Sequence, residues 1–132
     1  DWNKFIKKYQ ECKFLFVPNI HDASPRIITE AMATDIPVLL NQHILGGTKY
    51  INHKTGELFD NLTNFEGQLE TMLQKITTQK YSPREELLTN YGIVNSGQRL
   101  LHFIREHFNK QAKLPKDCQY VTIRFSKPNR AQ

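Results

Sequence analysis

The sequence predicts an α/β fold, a short parallel sheet flanked by helices, on three observations. Two brief, nearly unbroken apolar runs, FLFV at residues 14–17 and IPVLL at residues 36–40, read as strands buried on both faces, as in a helix-covered parallel sheet. A helix-length segment opened by Ser24 and Pro25 lies between them. Beyond residue 60, helical rather than alternating periodicity dominates. Strand, helix and strand in that order imply a right-handed crossover between parallel neighbours.

Each element follows from its residues. Trp2, Phe5, Ile6 and Tyr9 recur at helical spacing with lysines between them, which predicts an amphipathic helix over residues 2–11. The first strand stops at Pro18. Ser24 offers a capping oxygen and Pro25 gives up only an N–H that would have no partner, so a helix is expected from there to about Thr34. The second strand covers residues 36–41. LGGT, residues 45–48, reads as a glycine-rich loop, with a short helical turn at Tyr50 and Ile51 and a turn at Thr55 and Gly56 leading into a third strand. Residues 64–78 place Phe65, Leu69, Met72, Leu73 and Ile76 on one helical face. Ser82 and Pro83 repeat the cap signal for a helix over 83–91, with Glu85 and Glu86 in its first turn. SGQRLLHFIREHFNK forms the last helix, with Leu100, Leu101, Ile104 and Phe108 facing inward. Residues 120–125 have the composition of an edge strand. The main body is assigned to residues 1–110 and a tail to 111–132.

Composition narrows the function classes. The 132 residues are 39% hydrophobic and 23% charged, enough for one modest core. No apolar run approaches the ~20 residues that span a bilayer, and no leader pattern is visible, so a soluble, cytoplasmic protein is the expectation, with peripheral membrane association left open. Cys12 and Cys118 form no CxxC pattern and read as reduced thiols. The formal charge of +5 is spread along the chain without interleaved aromatics, which disfavours nucleic acid and leaves an anionic small molecule as a partner. The histidines show neither metal-ligand spacing nor a Ser-His-Asp order, and Lys54-Thr55 lacks the glycine pattern of a P-loop.

The strand–helix unit directs attention to residues 19–24. In an open parallel sheet, ligands sit beyond the carboxyl ends of the strands, where the next helix begins with free N–H groups and the positive end of its dipole. Asp22 faces that cleft from the loop, and Glu30 is expected to reach it from about 1.5 turns along the helix. Two carboxylates beside an anion site suit the hydroxyl groups of a sugar or ribose. Against this, Glu30 could pair with Arg26 on the helix surface, Asp22 could be a loop acid near a helix start, and Gly46 and Gly47 could form a plain turn.

Over residues 14–59 the order of Asp22, Glu30, Ala31-Met32-Ala33, Pro37-Val38, Gly46-Gly47 and Thr55-Gly56 resembles the C-terminal, donor-binding domain of group 1 retaining glycosyltransferases of the GT-B fold. SGQRLLHFIREHF is similar to the family's closing helix. The resemblance implies a Rossmann-like domain that binds a nucleotide diphosphate-sugar and passes the sugar to a sugar, lipid or protein acceptor, with no cofactor and no essential metal. It assigns Asp22 to the donor-sugar hydroxyls and Glu30 to the ribose. It assigns Ala23, Ser24, Pro25, Arg26 and Ile27 to donor contacts, with Gly46 and Gly47 nearby. Two departures stand out: Asp22 replaces the usual Glu and is shorter by one methylene, and Pro25, where Gly is frequent, has no N–H to donate. The family's donor domain begins with strands that precede the counterpart of this chain's first helix, and the Arg and Lys that grip the diphosphate usually come from that earlier part; no counterpart is visible here. The expectation is therefore part of a donor domain, inactive by itself, with a non-catalytic binding module derived from the fold as the alternative.

Overall fold

The computed structural model describes residues 1–108 and 114–122. The chain divides into two compact units, Asp1–Thr89 and Asn90–Gln132, so the last helix groups with the tail. The sequence pattern puts that boundary later, after residue 110.

The first unit is a mixed helix–sheet body around three parallel strands, β1 (Leu15–Val17), β2 (Val38–Asn41) and β3 (Gly56–Phe59), in the order β1-β2-β3. The register pairs Leu15 with Val38, and Val38 in turn with Gly56. Helix α1 (Trp2–Glu11) precedes β1, and α2 (Arg26–Ala33) connects β1 to β2. α3 (Leu62–Thr77) and α4 (Pro83–Asn90) follow β3. Alternation along β2 serves two cores. Val38 and Leu40 join Tyr9, Val17, Ile28 and Met32 on one face, while Leu39 joins Phe59 and Met72 on the other. Val38, Leu39 and Leu40 are all fully buried.

Burial on both faces does not extend to β1. Phe16 is 45% exposed, because it lies on the sheet edge, where its ring meets those of Phe59 and Phe65 with centroids 5.6 and 5.4 Å away. Leu73 is also 40% exposed, so the inward face of α3 consists of Phe65, Leu69, Met72 and Ile76. That helix is held at its start by a reciprocal Asn61–Asn64 capping box. Its Lys75 meets Glu57 of β3 at 2.5 Å, and the Tyr81 hydroxyl donates to the same carboxylate at 2.6 Å. Burial, followed by the Glu57 carboxylate, holds the Tyr81 phenol far above its ordinary range.

The start of α2 differs from expectation in its capping. Pro25 occupies the cap position with no side-chain hydrogen bond, and Ser24 instead gives its backbone N–H to Asp22 Oδ1 at 2.9 Å. The Asx turn of Asp22 therefore shapes the loop, and the Ser24 hydroxyl does not cap the helix. At the other end, the Arg84 guanidinium donates to the Ala33 carbonyl at 2.7 Å, and the Arg84 N–H donates to Asp35 at 3.0 Å. A cation at a helix C-terminus is favourable, and this contact docks α4 on α2.

In the second unit, α5 spans Ile93–His107 and starts after Gly92, which has φ 94°. This start lies upstream of the SGQRLL segment. Leu101 is buried and Leu100 and Ile104 are half-buried, but Phe108 is 47% exposed and lies past the helix end. Gly97 permits close passage of the following segment: the Val121 N–H donates to its carbonyl at 3.1 Å, and a Cβ at Gly97 would lie 2.4 Å from the Val121 oxygen. Residues 120–122 form no strand, and 123–125 lie outside the described residues. No helix among the described residues is long and apolar enough to cross a membrane.

Candidate functional site

The site grows from two loops at the carboxyl end of the sheet. The loop after β1 and the loop after β2 are tied by backbone bonds, from Leu45 N–H to the Ile20 carbonyl at 3.1 Å and from Gly46 N–H to the Asp22 carbonyl at 2.9 Å. Gly46 has no room for a side chain, since a Cβ there would lie 2.0 Å from the Ala23 oxygen. Gly47 has φ 98°, which favours glycine, and a Cβ there would lie 2.6 Å from Ile28 Cδ1 and 2.9 Å from Pro25 Cγ. The two glycines thus bring the second loop against the helix start, and that contact is their structural role.

The contact leaves a hollow of about 70 Å³ beside the first turn of α2, lined by Ala23, Ser24, Pro25, Arg26, Thr29, Gly47, Lys49 and Tyr50. Arg26 and Lys49 bring two cations to the positive end of a helix dipole, an arrangement that favours an anion. Lys49 lies over the Tyr50 ring, 5.0 Å from its centroid. Tyr50 is in turn fixed through its carbonyl, which accepts from the fully buried Thr55 hydroxyl at 2.7 Å. The Thr55-Gly56 turn therefore supports the site from below.

Thr29 also borders a larger groove of about 560 Å³ between α1, α2 and α4. Phe5, Ile6 and Leu87 supply apolar walls, and Glu30, Arg84 and Asp35 the polar ones. Tyr9 is 7% exposed, and its hydroxyl has no hydrogen-bond partner among the described residues. Burial, then the nearby Glu30 and Cys12, push this phenol above its ordinary range.

Of the residues singled out in the sequence, Ala23, Ser24, Pro25, Arg26 and Gly47 do come together. Ile27 turns outward and is 40% exposed. Glu30 lines the groove and Asp22 lines neither space, so the two acids do not share one wall. Nor does Glu30 pair with Arg26: no ion pair among the described residues joins them. Sequence reasoning missed Lys49 and Tyr50, which reach the helix start only because the glycine loop folds back.

Comparison with protein-family models, with curated proteins and with solved structures finds no match to the chain. The chemistry of the site must therefore be read from its own geometry. Further along the same edge, His43 Nε2 bonds Asp60 Oδ1, joining the ends of β2 and β3, and this bond from His43 lowers the Asp60 carboxyl pKa. No cluster of three or more potential metal ligands occurs among the described residues.

Proposed function

We propose that the first unit binds a nucleoside diphosphate or nucleotide diphosphate-sugar, as the donor side of a glycosyltransferase. The observation that carries this reading is the pairing of Arg26 and Lys49 at the α2 N-terminus, adjoining through Thr29 a groove that holds the Glu30 carboxylate. The diphosphate occupies the hollow, where the helix start and two cations offset its charge. The nucleoside extends into the groove, with ribose hydroxyls donating to Glu30 and the base against Phe5, Ile6 and Leu87. In transfer, the same cations stabilise the departing diphosphate, an electrostatic contribution that uses no general base. Asp22 is the proposed contact to the donor sugar.

A second reading is a binding module without transfer chemistry. It is favoured by the commitment of Asp22 Oδ1 to the Ser24 N–H and by the absence of Asp22 from both spaces.

Isothermal titration with inorganic pyrophosphate tests the anion site that both readings share. The native chain is expected to bind, and Arg26→Ala with Lys49→Ala should weaken binding by about tenfold or more, increasingly so at low ionic strength. Equal affinity in the double variant would remove the diphosphate from this hollow.

A further inference from the structure

Among the described residues, a single buried side-chain oxygen lacks a hydrogen-bond partner, the hydroxyl of Tyr9. The residue belongs to the wall of the groove between α1, α2 and α4, as Glu30 does, and is more than nine-tenths buried. Its ring is held in place: it shares a core cluster with Ile28 and Met32 and meets the Phe5 ring edge-on, with centroids 4.8 Å apart. Burial, then the Glu30 carboxylate and Cys12, raise the phenol above its ordinary range, so at neutral pH it is an O–H donor. It lies close enough to Glu30 to feel that charge, yet no hydrogen bond joins the two. A buried donor without a partner is costly and rare, and one in the wall of a cavity calls for a ligand that completes it.

We propose that Tyr9 is a specificity-determining residue of the groove, its O–H donating to a hydroxyl oxygen of the same ribose that donates to Glu30. The inference rests on the nucleotide reading of the groove and deepens it. A carboxylate, which only accepts, and a neutral O–H close beside it match a vicinal diol, whose hydroxyls both give and receive. Because the two groups lie near each other, one small part of the ligand serves both, and the apolar wall of Phe5, Ile6 and Leu87 is left for the base. The consequence is selection of ribonucleotides over their deoxy forms. A site built to hydrogen-bond a hydroxyl rejects the analogue that lacks it, since the buried donor is then left unpaired.

Calorimetric titration of the native chain and of Tyr9→Phe supplies the test, with uridine and adenosine diphosphates, their 2′-deoxy and 3′-deoxy forms, and pyrophosphate as probes. The native chain should bind at least one deoxy form about tenfold more weakly than its parent. Tyr9→Phe should bind the parent about tenfold more weakly than the native chain does, and that deoxy form and pyrophosphate with unchanged affinity. Phenylalanine keeps the ring and removes the orphaned hydroxyl, so the urea midpoint of the unliganded variant should equal or exceed the native one. A lower midpoint would give the hydroxyl a partner within the fold and overturn the inference. Equal affinity of both chains for the parent, or the same loss for the parent and both deoxy forms, would overturn it too. Nucleotide binding with no preference for the ribose hydroxyls would overturn this inference alone. Pyrophosphate binding with no gain from an attached nucleoside would overturn it together with the ribose placement, and would spare the anion hollow.

Discussion

Replacing Glu30 by Gln should weaken binding of a nucleoside diphosphate and of its sugar conjugate together. Both ligands carry the ribose, and a hydrogen bond to a charged acceptor is worth about 1.5–3 kcal/mol, roughly ten- to a hundredfold in affinity. The fold should survive, since Glu30 is only half-buried and no ion pair among the described residues uses it. Asp22→Asn is the informative contrast. Asparagine can still accept from the Ser24 N–H and keep the turn, so affinity for the free diphosphate should stay nearly unchanged, while recognition of the sugar falls if Asp22 contacts it. Calorimetry of both variants with both ligands separates the roles. Normal binding by a folded Glu30→Gln variant would leave the acid as a groove-wall residue with no ligand.

The largest stability effect is expected at Gly56. A Cβ there would lie 1.9 Å from the Val38 carbonyl oxygen and 2.9 Å from the Val38 nitrogen, at a registered pair of the β2–β3 ladder. No rotamer relieves a clash with backbone, so Gly56→Ala must separate the strands at this point. A loss above about 3 kcal/mol follows, at or beyond the upper end of ordinary overpacking, and it would consume much of the margin of a small domain. Gly67, mid-way along α3, has open space where a Cβ would sit, with nothing within 4 Å, and Gly67→Ala should instead stabilise by about 1 kcal/mol. Urea unfolding of the two variants should move in opposite directions. Coincident midpoints would mean that β3 can yield at Gly56 without losing its pairing to β2.

These outcomes bear on what a sequence can reveal here. Periodic elements were legible as elements: α1, α3 and β2 each carry a dense apolar pattern, although on α1 Tyr9 is buried while Phe5 is 38% exposed. The edge position of β1 was not, because a continuous apolar run looks the same whether one neighbour or two cover it, and Phe16 shows the difference. Ser24-Pro25 marked the start of α2 but not its chemistry, since Asp22 competes for the Ser24 N–H and pulls the loop into an Asx turn. Within the site, the residues adjacent in sequence, Ala23 to Arg26 by position, could be placed from local signals. Lys49 could not, because its approach depends on two glycine contacts, Gly46 on Ala23 and Gly47 on Pro25, between loops distant in the chain. The opposite error applies to Asp22 and Glu30. Seven intervening residues suggested one cleft, yet the helix carries Glu30 round to the α1 side.

Amide chemical-shift mapping with a nucleoside diphosphate tests the central claim most directly. On titration, shifts should concentrate at residues 23–29 and 46–50 for the diphosphate and continue to Tyr9, Glu30 and Leu87 for the nucleoside, with pyrophosphate alone reproducing only the first set. Shifts confined to the second unit, or none at saturating ligand, would contradict diphosphate binding at the α2 N-terminus.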